Sequence, residues 1–274
     1  MMSNLSLYLA AVLGYAALAV YYWRAQAAGR DAELERGAAR FVVLAPMLLQ
    51  GYLLSNTLFI DGEMNLGLTN SISLILWLTL LVYWVAHFFY PIASLQTLVL
   101  PLAAVGVVLP ALFPDTQLHA RNTWAFEAHI AVAMLAFSLF TIAALHAGLM
   151  SLVEKRLHHA ILPKAMQNLP PLLTMEALLF RIIIAGFLLL SFTLASGMIF
   201  SEQVFGHALK FTPRIAHKLV FGLTSWVVFA GLLVGHHFYG WRGRTAIRWT
   251  LSGFVFLFLS YVGSKFVLEV LLHR

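Results

Sequence analysis

The stretch His217–Arg244, HKLVFGLTSWVVFAGLLVGHHFYGWRGR, decides the architecture. Between Lys218 and Arg242 it has no Lys, Arg, Asp or Glu, with a histidine at its head and the pair His236-His237 at its tail. From His217 to His236 is nineteen residues, about 28 Å at the α-helical rise and close to the hydrocarbon thickness of a bilayer. One helix over this stretch puts imidazoles at opposite faces of a membrane and then enters a basic turn containing glycine.

The surrounding composition has the same character. Of the 274 residues 61% are apolar and only 10% are charged, and the mean hydropathy is +0.87. A soluble domain of this size could not solvate itself with so few charges, so the chain reads as a polytopic membrane protein. The net charge of +6 follows from the positive-inside bias of such proteins. No cluster of Lys and Arg interleaved with aromatics points to nucleic acid. Cysteine is absent, which excludes disulfides, thiolate metal sites, a thiol redox relay and a C-x-x-C-H attachment making the chain itself a c-type cytochrome. Ligation must rest on His, Met, Tyr or carboxylates, and there are eleven histidines.

Working outward from the opening stretch gives an all-α, polytopic membrane helix bundle of about eight transmembrane helices in a single integral membrane domain, residues 1–274. The spans fall at about 4–23, 41–59, 68–89, 92–113, 124–153, 178–200, the opening stretch itself and 246–272. No Lys or Arg precedes the first span, whereas Arg24, Arg30, Arg36 and Arg40 follow it, as for an uncleaved anchor with its N-terminus outside. Polar linkers are expected at about 24–40 and 154–177, the second containing EKRLHH and a Pro-Pro break. Odd-numbered connections, with the span ends beside them, carry eleven Lys and Arg; the even-numbered ones with their span ends and the C-terminus carry five, and Lys265 lies inside span eight. That split places odd connections inside and both termini outside.

Ionisable residues within a membrane are costly and face the bundle by default. The topology sorts the histidines into two tiers: His87, His146, His236 and His237 near the inner face, and His129, His217 and His273 near the outer, with His119 and His207 in outer loops. Two neutral imidazoles on facing helices are the usual cysteine-free way for a bundle to hold the iron of a b-type haem. The bland alternative is that interfacial histidines snorkel to head groups. Glu127 and His129 are two apart and point to different sides of a helix. Lys265 and Glu269 are four apart and could pair across one turn, or offer a basic contact to a propionate. The aromatics read mainly as an interfacial belt, and the methionines as packing. Phosphate loops, Ser/His/Asp clusters and paired catalytic carboxylates are not evident.

GHHFYGWRGR, followed by LSGFVFLFLSYVGSKFVLEVLLHR, resembles the C-terminal end of the CcsA/CcmC-type cytochrome c assembly family, in its YpjD-like, HemX-related branch. EAHIAVAMLAFSLFTIAALHAGLMSLVEKRL resembles that family's His-led helix, and LGLTNSISLILW the segment entering its early His-bearing helix. The likeness covers about residues 65–274 and is most specific in span five and after Ser225. The resemblance implies a haem-handling bundle of eight helices, with two histidines binding haem within the membrane and two ligating haem at the outer face. Carried over by position, His129 resembles the outer ligand before the signature loop and His273 the second outer ligand. His236 resembles the membrane ligand after that loop, and His87 the early membrane ligand. The family's W-G-x-x-W-x-W-D motif is missing: between spans six and seven this chain reads SEQVFGHALKFTPRIAHKL, with neither Trp nor Asp. Members of the YpjD-like branch share that loss.

The leading expectation is a non-enzymatic haem-handling protein of cytochrome c assembly type in the bacterial inner (cytoplasmic) membrane. It would hold haem b between His87 and His236, or His129 and His273, with His129 and His236 as iron ligands. Its surroundings would be membrane lipid and its partners haem-biosynthesis or cytochrome c maturation proteins. The alternatives are a HemX-like regulatory or scaffolding protein without bound haem, and a small-solute transporter; against the latter, the chain shows no inverted repeat.

Overall fold

A computed structural model describes residues 5–30, 39–60, 63–90, 92–114, 118–120, 124–158, 171–199 and 213–267. In order the helices are α1 (Leu5–Ala27), α2 (Ala39–Val42), α3 (Leu44–Leu58), α4 (Leu68–Ala86), α5 (Gln96–Leu112), α6 (Trp124–His158), α7 (Leu172–Ile199), α8 (Pro213–Tyr239), α9 (Arg244–Phe258) and α10 (Ser264–Phe266). Strands β1 (Phe59–Ile60) and β2 (Glu63–Asn65) form a short antiparallel hairpin, and β3 is Leu118–Ala120. Among the described residues, eight helices are long and apolar enough to cross a membrane. The chain is an all-α polytopic membrane protein, and it divides into two compact units: Met1–Leu118 with Leu152–Leu172, and His119–Ser151 with Leu173–Arg274.

In the first unit α1 packs on α3 and α5, and α4 packs on the same two helices. One face of α1 carries Tyr8, Tyr15 and Tyr22 at seven-residue spacing, which keeps them on one side of the helix. Tyr15 and Tyr22 are fully buried. The Tyr15 hydroxyl donates to Gln50 Oε1 on α3 at 2.8 Å, and the Gln26 amide donates to the Ala93 carbonyl at 2.8 Å. In an apolar bundle these bonds give the helices a register that greasy surfaces alone would not. Close approach is made by glycine. A Cβ on Gly14 would lie 3.2 Å from Pro46, and one on Gly51 would lie 3.2 Å from the Trp77 ring. That indole donates to the Met47 carbonyl at 2.9 Å.

In the second unit α8 packs on α9 and on the π-helical turn Leu259–Gly263 that follows it. Phe140 of α6 stacks on Phe229 of α8 with ring centres 4.0 Å apart. Gly186 and Gly253 leave room for the pair: a Cβ there would come within 3.1 Å of Phe140 and 2.8 Å of Phe229. Trp226 donates to Ser191 Oγ at 2.8 Å, joining α8 to α7. Ser225 donates to the Gly253 carbonyl at 2.9 Å, joining α8 to α9.

Three element boundaries differ from the sequence expectation. α1 continues to Ala27, α6 continues to His158, and α7 begins at Leu172 instead of about residue 178. The polar character of 154–177 suggested a linker, but Pro171 directly precedes the first residue of α7, a place where proline's fixed φ suits a helix start. Glu176 therefore lies in the second turn of α7, where it is 8% exposed.

Candidate functional site

The C-terminal end of α8 shows what the GHHFYGWRGR motif builds. Gly240, at φ +66, turns the chain back in the left-handed conformation that favours glycine. The returning Trp241 N–H donates to the Gly235 carbonyl at 3.1 Å. Trp241's indole lies where a Gly235 side chain would be, so any Cβ there would overlap the ring. Trp249 of α9 flanks that indole at 4.9 Å.

The clasped Trp241 carbonyl then meets His236. Nδ1 of His236 lies 2.9 Å from that oxygen; since a carbonyl only accepts, Nδ1 carries a proton, and in the neutral ring the lone pair is then on Nε2. Phe180 of α7 stacks on the imidazole, with centres 3.5 Å apart and planes 16° apart. Tautomer and ring plane are both fixed, as in a metal-ligating histidine whose second nitrogen is held by a backbone carbonyl. Its neighbour His237 is exposed and meets the edge of Phe238 at 4.8 Å.

His129, in the second turn of α6, repeats the arrangement. Its Nδ1 is 2.9 Å from Ser196 Oγ, and that hydroxyl donates to the Thr193 carbonyl at 3.1 Å. The Ser196 hydroxyl has one proton for two acceptors, the Thr193 carbonyl and the imidazole, so the contact fixes the orientation of the His129 ring and not its tautomer. Gly197 makes the space: a Cβ there would lie 3.3 Å from His129 Cε1.

The two arrangements do not converge. Phe180 and Ser196 are sixteen residues apart on α7, about 24 Å at the helical rise. His129 and His236 therefore belong to separate levels and cannot share one iron. His87, in the first unit, caps α4 with its backbone N–H on the Tyr83 carbonyl at 2.9 Å, and its buried ring lies 5.9 Å from that of Tyr83. His273, Glu269 and His207 lie outside the described residues; His217 is exposed. His146 is 2% exposed. Its Nε2 donates to the Met175 carbonyl at 2.9 Å, while Nδ1 is buried with no hydrogen-bond partner among the described residues. Lys265 is buried, with its ammonium 5.3 Å from the centre of the Tyr261 ring, and Lys218 reaches the same ring at 5.7 Å. No group of three or more His, Asp or Glu among the described residues could hold a bare metal ion.

Beneath the α8–α9 turn is a residue that sequence reasoning missed. Glu176 Oε2 accepts the Gly243 N–H at 2.9 Å, and Oε1 lies 3.7 Å from Arg242 Nε. Its charge had assigned it to a linker; its partner Gly243 is 67 residues away in sequence, so nothing local marked it as buried.

A family model described as cytochrome C assembly protein matches residues 40–272. The chain belongs to the cytochrome c assembly family. Inner membrane protein YpjD of Escherichia coli (strain K12) is 29% identical over 178 residues, 65% of this chain and 65% of that protein. A 28.8 kDa protein of Azospirillum brasilense is 34% identical over 154 residues, covering 56% and 55% of the two chains. The cytochrome c biogenesis protein CcsA of Trichormus variabilis is 31% identical over 90 residues, 33% of this chain and 24% of CcsA. The chain thus spans less than two thirds of the length of the curated relatives it matches. No solved structure matches it.

The donors present fit the iron of a haem. His236 and His129 each present one oriented imidazole, at separate levels of the second unit, and either would give a single nitrogen to a haem iron.

Proposed function

We propose that the protein is a non-enzymatic, haem-handling membrane protein of cytochrome c assembly type. Its axial ligands are drawn from His129, His236, His87 and His273, and the haem is held non-covalently, as haem b. The observation that carries the reading is the Trp241 carbonyl on His236 Nδ1, which orients the imidazole and directs Nε2 away from that bond. Membership of a family that handles haem supports it. When bound, haem would supply an iron that accepts imidazole nitrogen; the protein's part is to hold the imidazole rings oriented. Likeness to an inner membrane protein favours the bacterial inner membrane, and the loop charges favour both termini outside. The chain acts as one integral membrane domain, surrounded by lipid, with cytochrome c maturation or haem-biosynthesis proteins as partners.

The test is the absorbance spectrum of detergent-purified protein supplied with haem, comparing wild type with His129→Ala and His236→Ala. A low-spin bis-imidazole spectrum diminished in each variant is the expected result. A wild type with no Soret band after haem supply would remove the proposal.

A further inference from the structure

We infer that Glu176 is the positioning residue for His236: anchored by its carboxylate, the α8–α9 turn holds the Trp241 carbonyl against His236 Nδ1. The inference rests on the haem reading only for the purpose of the arrangement. The arrangement itself stands on bonds within the second unit.

The connection between α8 and α9 is four residues, Gly240–Gly243. Its glycines adopt φ +66 and +52, so the turn uses conformations that side-chain-bearing residues rarely adopt. One end is tied by the Trp241 N–H on the Gly235 carbonyl. At the other end the Gly243 N–H reaches across to Glu176 Oε2, on a different helix. The carbonyl that orients His236 lies between these two ties. A carboxylate only 8% exposed is expensive to desolvate in a membrane protein. Here it accepts a charge-assisted bond from backbone N–H, among the stronger hydrogen bonds a protein forms. The Arg242 contact is longer, at 3.7 Å, with the guanidinium side chain 66% exposed, and adds little. Phe180, which stacks on His236, follows Glu176 by four residues and so emerges from the same face of α7 one turn on. A single helical turn thus carries both the ring's packing partner and the anchor of its hydrogen-bond partner.

The test uses the full chain in detergent micelles with nitrogen-labelled histidine, the His236 signal being assigned by its loss in His236→Ala. Wild type should show His236 in a single tautomer, protonated at Nδ1. Glu176→Ala should give an average of both tautomers, and Glu176→Gln, which keeps an oxygen for the Gly243 N–H, should restore the single form. Should the alanine variant not fold, Glu176→Asp retains the charge but withdraws it by one methylene, and should show the same averaging. An unchanged His236 tautomer in either folded variant overturns the inference. Haem titration is the second readout. Glu176→Ala should weaken the His236-dependent component about ten- to a hundredfold, the usual effect of removing an outer partner of a ligating histidine, with no further loss when combined with His236→Ala. Full additivity in the double variant also overturns it. A wild type that takes up no haem while the tautomer responds as expected would sink the haem reading and leave the positioning role standing.

Discussion

His236 and His237 are adjacent, chemically identical and about 100° apart around the same helix. Nothing in the motif says which one faces inward, yet only His236 is stacked by Phe180 and held by Trp241. The pattern of the segment was legible because glycines and a terminal Trp mark a turn. The choice between neighbours was not, since it depends on α7, some sixty residues earlier in the chain. Gly235 states the same dependence in steric terms. Gly235→Ala would force the Trp241 indole off α8, lowering stability by about 1–3 kcal/mol and shifting the tryptophan emission; a wild-type melt and spectrum would contradict the packing described. At the other level, Ser196→Ala removes the hydroxyl that holds the half-buried His129 ring, at a cost of about 0.5–1.5 kcal/mol for one hydrogen bond. It should reduce haem uptake assigned to His129, as read by titration in a His236→Ala background, while leaving that assigned to His236 intact, as read in a His129→Ala background.

For the helices, hydropathy found all eight spans because a bilayer imposes length and apolarity on each. It was less able to find their ends, since buried carboxylates such as Glu176 look like loop residues until their partners are known. Which face of each helix meets a neighbour was also hidden, because a span apolar all round has no polar side to mark its outside. The tyrosine face of α1 is an exception that seven-residue spacing could have exposed. Tyr15→Phe would leave Gln50 Oε1 without its 2.8 Å donor. The expected loss is about 0.5–2 kcal/mol, measured by detergent-denaturant unfolding. In the second unit, Gly253→Ala would press on Phe229, itself stacked on Phe140. A larger loss, about 1–3 kcal/mol, is expected there because the ring has no free side to move to.

For the whole molecule, the asymmetry of Lys and Arg gives orientation a direct check, and the lack of cysteine makes the experiment clean. Single cysteines at Glu63 and Lys155 should react oppositely with a membrane-impermeant maleimide: Glu63→Cys labelled in spheroplasts, Lys155→Cys only in inverted vesicles. The reverse pattern would turn the topology over. The family was readable from GHHFYGWRGR and the His-led α6, and the match over residues 40–272 bears that out. Composition could supply the class of protein, but not the two levels, which depend on side chains from α6 and α8 meeting α7 at distant points.

α7 runs from Leu172 to Ile199 without a proline, so rotamer changes cannot bring Phe180 and Ser196 nearer to each other. A porphyrin seated at one end would have to leave its ligands before engaging those at the other. Under the proposed function, occupancy would then be counted in whole cofactors, up to two per chain. Each would have its own response to substitution.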